Sequence, residues 1–143
     1  MSLYFDSAYI AKCYVNEPDS PRVRATVRAA GGGHSSSLAR AEVVATFLRH
    51  QREGSLSAKQ TSVLHADFRK DLAAGVWTMV PVSDDFMARV AERLVHLPPV
   101  TVIRAGDAVH LCAAVEAGFA EVWTNDRHML GAAAKFGLHG RSV

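Results

Sequence analysis

Two cysteines in 143 residues, Cys13 and Cys112, are too few for a disulfide framework. Neither has a second cysteine or a histidine at ligand spacing, so no zinc site is expected. Both sit in apolar helical patterns and read as buried free thiols of a reducing, cytoplasmic compartment. No apolar stretch approaches the roughly 20 residues that cross a bilayer, so no membrane partner is expected. Residues Met1 to Asp6 lack the basic stretch and apolar run of a secretion signal. Internal repeats, linkers and low-complexity tracts are missing too. An excess of one charge is also lacking. Lys and Arg number 16 against 14 Asp and Glu, a formal net charge of +2. That does not demand a nucleic-acid partner, but it permits one where basic residues cluster. Gly31-Gly32-Gly33 lacks the lysine and hydroxyl of a phosphate loop and reads as a helix stop.

What is present is a globular composition, with 49% hydrophobic and 21% charged residues. The length suits one domain over residues 1–143. Strand-like and helix-like segments alternate. Leu3-Tyr4-Phe5 is a short apolar run stopped by the capping pair Asp6-Ser7, which opens a helix through about Val15. A second helix aligns Val23, Val27 and Ala30. His34 to Ser36 suits a short strand. A long helix from about Ser37 to Glu53 and another from Ser57, with Leu64, Phe68 and Leu72 on one face, form a helical hairpin. Val76 to Val82 is the clearest strand. Met87, Val90, Ala91, Leu94 and Leu97 form the next helical stripe, ended by Pro98-Pro99. A helix from Arg104 to Gly118, a strand Glu121–Thr124, a helix Asp126–Phe136 and a last strand Gly137–Gly140 complete the chain. Strands separated by helices imply parallel crossovers and a sheet covered on both faces, the α/β class.

Ligands of such sheets bind outside the carboxyl ends of the strands. Asp6 and Asp126 each follow a strand, Asp107 lies in the first turn of its helix, and Glu42 lies early in the hairpin. Taken singly, the aspartates are ordinary helix caps or dipole partners, and Glu42 an ordinary helix position. Together, several carboxylates within a few ångströms require a cation. Oxygen ligands without paired histidine or cysteine favour magnesium or manganese. Such an ion activates water and neutralises a phosphate, the chemistry of phosphodiester hydrolysis.

Four stretches then stand in order: Tyr4-Phe5-Asp6-Ser7-Ala8, Ala41-Glu42-Val43, Gly106-Asp107-Ala108-Val109-His110-Leu111, and Trp123-Thr124-Asn125-Asp126-Arg127. Over essentially the whole chain this pattern resembles the PIN-domain nucleases, and among them the VapC toxins of bacterial toxin–antitoxin pairs. The resemblance implies a five-stranded parallel sheet of order 3-2-1-4-5 flanked by helices. It also implies an acidic cluster of Asp6, Glu42, Asp107 and Asp126 around Mg2+ or Mn2+, with Asp126 last in rank as a direct ligand. Ser7 and Thr124 match small hydroxyl residues that support the cluster, with Asn125 beside them. The toxins are endoribonucleases that cut structured RNA such as transfer RNA by metal-activated water. They are usually homodimers, each inhibited by a cognate VapB-like antitoxin.

Arg104 and Arg127, each near a candidate acid, and Arg40 are candidate contacts to RNA phosphates. The bland reading of the hairpin's basic residues is a solvated face. His110, one turn after Asp107, reads as a packing or supporting residue rather than a ligand. The hairpin's apolar groove suits the helix of an inhibitor chain. Two other readings compete: a catalytically inactive PIN fold that binds RNA or protein, and a phosphatase. The second lacks an Asp-x-Asp motif after the first strand.

Overall fold

The computed structural model describes residues 2–143. In chain order the elements are α1 (Ser7–Tyr14), α2 (Ser20–Ala30), β1 (Gly33–Ser36), α3 (Ala39–Arg52), α4 (Ala58–Ala73), β2 (Trp77–Val80), α5 (Asp84–Val95), α6 (Ala105–Glu116), β3 (Glu121–Trp123), α7 (Arg127–Ala133) and β4 (His139–Arg141). A 3-10 turn, Ala134–Phe136, follows α7. Local chemistry accounts for most boundaries. Ser57 and Gln60 form a reciprocal capping box at α4, and the Ser83 hydroxyl accepts from Phe86 N at α5. Gly31 closes α2 with φ 73°, in the left-handed region.

The strands pair in parallel, β1 with β2 and β3 with β4, as two two-stranded sheets rather than the continuous five-stranded sheet expected. Between them runs Leu3–Asp6, whose strand character is reduced to single bridges at Tyr4–His34 and Phe5–Trp123. Its backbone nonetheless bonds to both pairs. Phe5 N donates to His34 O and His34 N to Leu3 O, each at 2.9 Å. On the other side Trp123 N donates to Tyr4 O (2.9 Å) and Asp6 N to Trp123 O (3.1 Å).

Successive residues of an extended segment face opposite ways. Tyr4 accordingly packs into one apolar cluster, with α5, α6 and α7. Phe5 packs into the other, with α1 to α4 and Trp77. Both faces are covered, as a parallel arrangement requires. Helix α6 is the most enclosed element, with every residue from Ala108 to Ala114 buried.

Some expectations shift. In α5 the inward stripe starts at Phe86, not Met87, and Ala91 is exposed. That helix stops at Val95, two residues short of Leu97. The strand expected over Val76–Val82 covers only Trp77–Val80. Both cysteines are free, but only Cys112 is buried. Cys13 is half-buried, and burial pushes its thiol up to about 12, which keeps it protonated and inert. Among the described residues no helix is long and apolar enough to cross a membrane.

Two of the three consecutive glycines do more than stop a helix. A Cβ on Gly33 would stand 2.4 Å from Phe5 Cδ2, and one on Gly32 would stand 2.2 Å from Val76 O. Gly33→Ala should therefore cost about 1–3 kcal/mol through overpacking. Gly131→Ala, at a helical position where a Cβ meets nothing within 4 Å, should be neutral or stabilising. Urea unfolding of both variants checks this. Equal destabilisation would show that the approach of Phe5 to β1 is not a tight constraint.

Candidate active site

Asp6 ends the segment that joins the two sheets and begins α1. It is 4% exposed. Its Oδ1 accepts from Tyr9 N at 2.8 Å, the capping bond of α1. The Thr124 hydroxyl donates to its Oδ2 at 2.5 Å. Burial pushes this carboxyl above its ordinary range, against the pull of those two bonds. Asp126 plays the same local part for α7, where its Oδ1 accepts from His128 N (2.8 Å) and Met129 N (2.9 Å). Asp126 N also donates to the Thr124 hydroxyl at 3.0 Å, so one threonine joins the backbone of Asp126 to the carboxylate of Asp6.

Glu42 lies in the first turn of α3, and its Oε1 is held twice. The Ser7 hydroxyl donates to it at 2.7 Å, and His110 Nε2 lies at 2.7 Å. Ser7 Oγ and His110 Nε2 are themselves 2.9 Å apart, closing a triangle. Burial alone would raise the Glu42 carboxyl, but the bonds from His110 and Ser7 outweigh it and hold the group below its ordinary value. The other oxygen, Oε2, faces the start of α6, where a Cβ on Gly106 would approach it to 3.5 Å.

Asp107, the next residue, sits in the first turn of α6. Its Oδ2 is buried and has no hydrogen-bond partner. The nearest cation is Arg104, whose Nε is 4.0 Å away on a side chain 81% exposed. Burial first, and then the charge of Asp126, push the Asp107 carboxyl upward. The charge of Asp126 acts on a carboxyl whose buried oxygen has no hydrogen-bond partner, which makes a local electrostatic conflict at Asp107.

The expected acids thus fall into two linked pairs. Asp6 and Glu42 are anchored through the neighbouring Ser7, through Thr124 and through His110, while Asp107 and Asp126 are coupled by charge. Among the described residues no three Asp, Glu, His or Cys side chains stand close enough to enclose a metal ion. Ser7 and Thr124 each bond a candidate acid. Asn125 does not; its Oδ1 accepts from the Tyr9 hydroxyl at 2.7 Å and its amide donates to Asp19, which Lys12 pairs at 2.6 Å. Arg40 and Arg127 are exposed.

His110 carries more than packing. It is 2% exposed, and its second nitrogen, Nδ1, lies 3.0 Å from the Tyr4 hydroxyl. With Tyr4 O–H donating to Nδ1 and Nε2–H donating to Glu42, both ring nitrogens are satisfied. The signal was legible in part: a histidine inside a continuous apolar helix needs two polar partners from elsewhere in the fold.

A divalent cation is the natural answer to the conflict at Asp107, and the all-oxygen donors suit a hard ion. Without one, the raised carboxyls of Asp6 and Asp107 carry a sign for stability. A group with a raised folded-state value retains its proton longer when folded, so stability is lost as pH climbs through that value. Asp107→Asn should therefore melt higher than the native chain at neutral pH in chelator, and the gap should close on acidification. Thermal unfolding across pH reads this; a gap that does not change with pH would show that Asp107 carries no such strain.

The PIN domain family model matches residues 3–135. No curated protein matches the chain.

Proposed function

Because the chain belongs to the PIN-domain family, a nuclease fold whose members generally depend on divalent metals, we propose that it is an endoribonuclease using Mg2+ or Mn2+. The observation that carries this reading is Asp107 Oδ2, buried without a hydrogen-bond partner, with only the exposed Arg104 at 4.0 Å. Asp6, Glu42, Asp107 and Asp126 would hold the ion. When bound, it would neutralise the phosphate and acidify a water.

The chain's own groups prepare that site. Ser7 and His110 orient Glu42 so that Oε1 is occupied and Oε2 faces the first turn of α6. Thr124 fixes Asp6, and the caps on α1 and α7 keep Asp6 and Asp126 from rotating. His110 keeps Glu42 ionised, as a ligand must be. The order β2, β1, Leu3–Asp6, β3, β4 supports a sheet of order 3-2-1-4-5 in this family's sense.

The finer reading is a VapC-like toxin acting on structured RNA in the cytoplasm, dimeric and inhibited by a small antitoxin. It is supported by the ordered sequence pattern. A cavity of about 430 Å3 between the end of α1 and the α3–α4 hairpin, lined by Tyr14, Val15, Leu56, Val63 and Leu64, suits an apolar helix of such an inhibitor. One observation favours a second reading, a catalytically inactive fold that binds RNA or protein: among the described residues no three acids close on a common point.

Purified protein should cut total RNA with Mn2+ or Mg2+, and chelator or Asp107→Asn should abolish the cutting. His110→Ala should lower the rate by about 10–100-fold, the usual cost of losing a residue that orients a metal ligand. Calorimetric titration with Mn2+ separates the readings. Absence of both cleavage and manganese binding would sink the nuclease and leave the binding module.

A further inference from the structure

The loop at Val100–Val102 and one face of α7 enclose a cavity of about 170 Å3, lined by Val100, Thr101, Arg127, His128, Gly131 and Lys135 among others. We propose that this groove is a phosphate track, which holds the backbone of an RNA strand as it leaves the candidate active site. It rests on the nuclease reading for the strand that enters; the affinity for phosphate follows from the groove itself.

Position is the first argument. Arg127 directly follows Asp126 and opens α7, while Lys135 lies in the turn beyond its end. Eight residues at 1.5 Å each separate them by roughly 12 Å along the axis. The groove therefore starts at the residue that follows a candidate acid and runs along α7 away from it.

Charge is the second. Two cationic side chains, Arg127 and Lys135, line the groove with the imidazole of His128, and no acid does. Lys12, Arg49, Arg89 and Arg141 are each paired with a carboxylate, but among the described residues Arg127 and Lys135 are not. Lys135 Nζ donates only to the Thr101 hydroxyl, at 3.3 Å, which steadies it without neutralising it. Unpaired cations in a concavity beside an acidic site suit an anion that must approach that site.

Size is the third. The volume is well below the roughly 300–1,000 Å3 of small-molecule pockets, so it suits single groups on a longer ligand. Val100 and Val102, 83% and 64% exposed, line the same groove and present apolar surface to the sugars between phosphates. The hairpin is the weaker candidate: Arg49 is held by Glu53, and His50 is buried against Ser55.

Gly131 offers a test that spares the fold. It is helical, a Cβ there meets nothing within 4 Å, and Glu forms helix better than Gly. Binding of a fluorescein-labelled oligouridine dodecamer is followed by anisotropy in chelator, so that nothing is cut. Gly131→Glu should weaken binding by about tenfold, and Arg127→Ala and Lys135→Ala by roughly threefold to tenfold each. Each alanine variant should also flatten the slope of log affinity against log salt by about 0.7. Arg28→Ala, at an exposed arginine of α2, should leave affinity within twofold of the native chain.

The track is wrong if the native chain does not bind the dodecamer at low salt. It is equally wrong if Gly131→Glu weakens binding no more than Arg28→Ala. Failure of the nuclease reading looks different: the Gly131→Glu effect persists while Mn2+ elicits no cleavage. Cleavage with no Gly131→Glu effect on binding overturns the track alone.

Discussion

Four backbone hydrogen bonds made by Leu3, Tyr4, Phe5 and Asp6 hold the two halves of the molecule together. On one side lie β1 and β2, on the other β3 and β4, and this segment bonds to both pairs. Its two central side chains anchor one apolar cluster each. Because Asp6 and Ser7 follow immediately, the same constraint that joins the sheets delivers the first candidate acid and the serine that bonds Glu42. Structure and site share one short stretch of chain. A change that loosens Phe5 against Gly33 is thus felt at the site as well as in the core.

The second organising feature is His110. A buried imidazole costs free energy unless both nitrogens are paired, and here Tyr4 pairs one while Glu42 and Ser7 pair the other. Tyr4 is itself a residue of the joining segment, so α6, α3, α1 and that segment meet on one ring. The bonds run towards Glu42 and keep it charged. Asp107 is served less well: its buried Oδ2 has no hydrogen-bond partner, and only the exposed Arg104 stands at 4.0 Å. Arrangements of this kind lower stability, and they persist where the site has work to do.

Capping, the plainer explanation of the aspartates in the sequence, is present at two of the four acids. Asp6 caps α1 and Asp126 caps α7, each with its first oxygen. A cap is geometrically rigid, so it positions whatever the second oxygen does. For Asp6 that oxygen is taken by Thr124.

Sequence by itself determined the order and type of nearly every element, because caps, glycine stops and hydrophobic periodicity act within a few residues. It also singled out four candidate acids, through four short stretches in order. It placed the short joining run at Leu3–Phe5 but not its reduction to single bridges at Tyr4 and Phe5, which tertiary pairing sets, nor the inward face of α5, where Phe86 replaces Met87 as the first buried residue. Nor could it say that Asn125 serves Asp19 and Tyr9, or that His110 is a hub. Those depended on the tertiary structure because the partners are far apart in the chain: 35 residues from Ser7 to Glu42, 103 from Ser7 to His110, and 118 from Asp6 to Thr124. Local propensity carries no information across such distances; only the packing of α1, α3 and α6 around the joined sheets brings those groups within hydrogen-bonding reach.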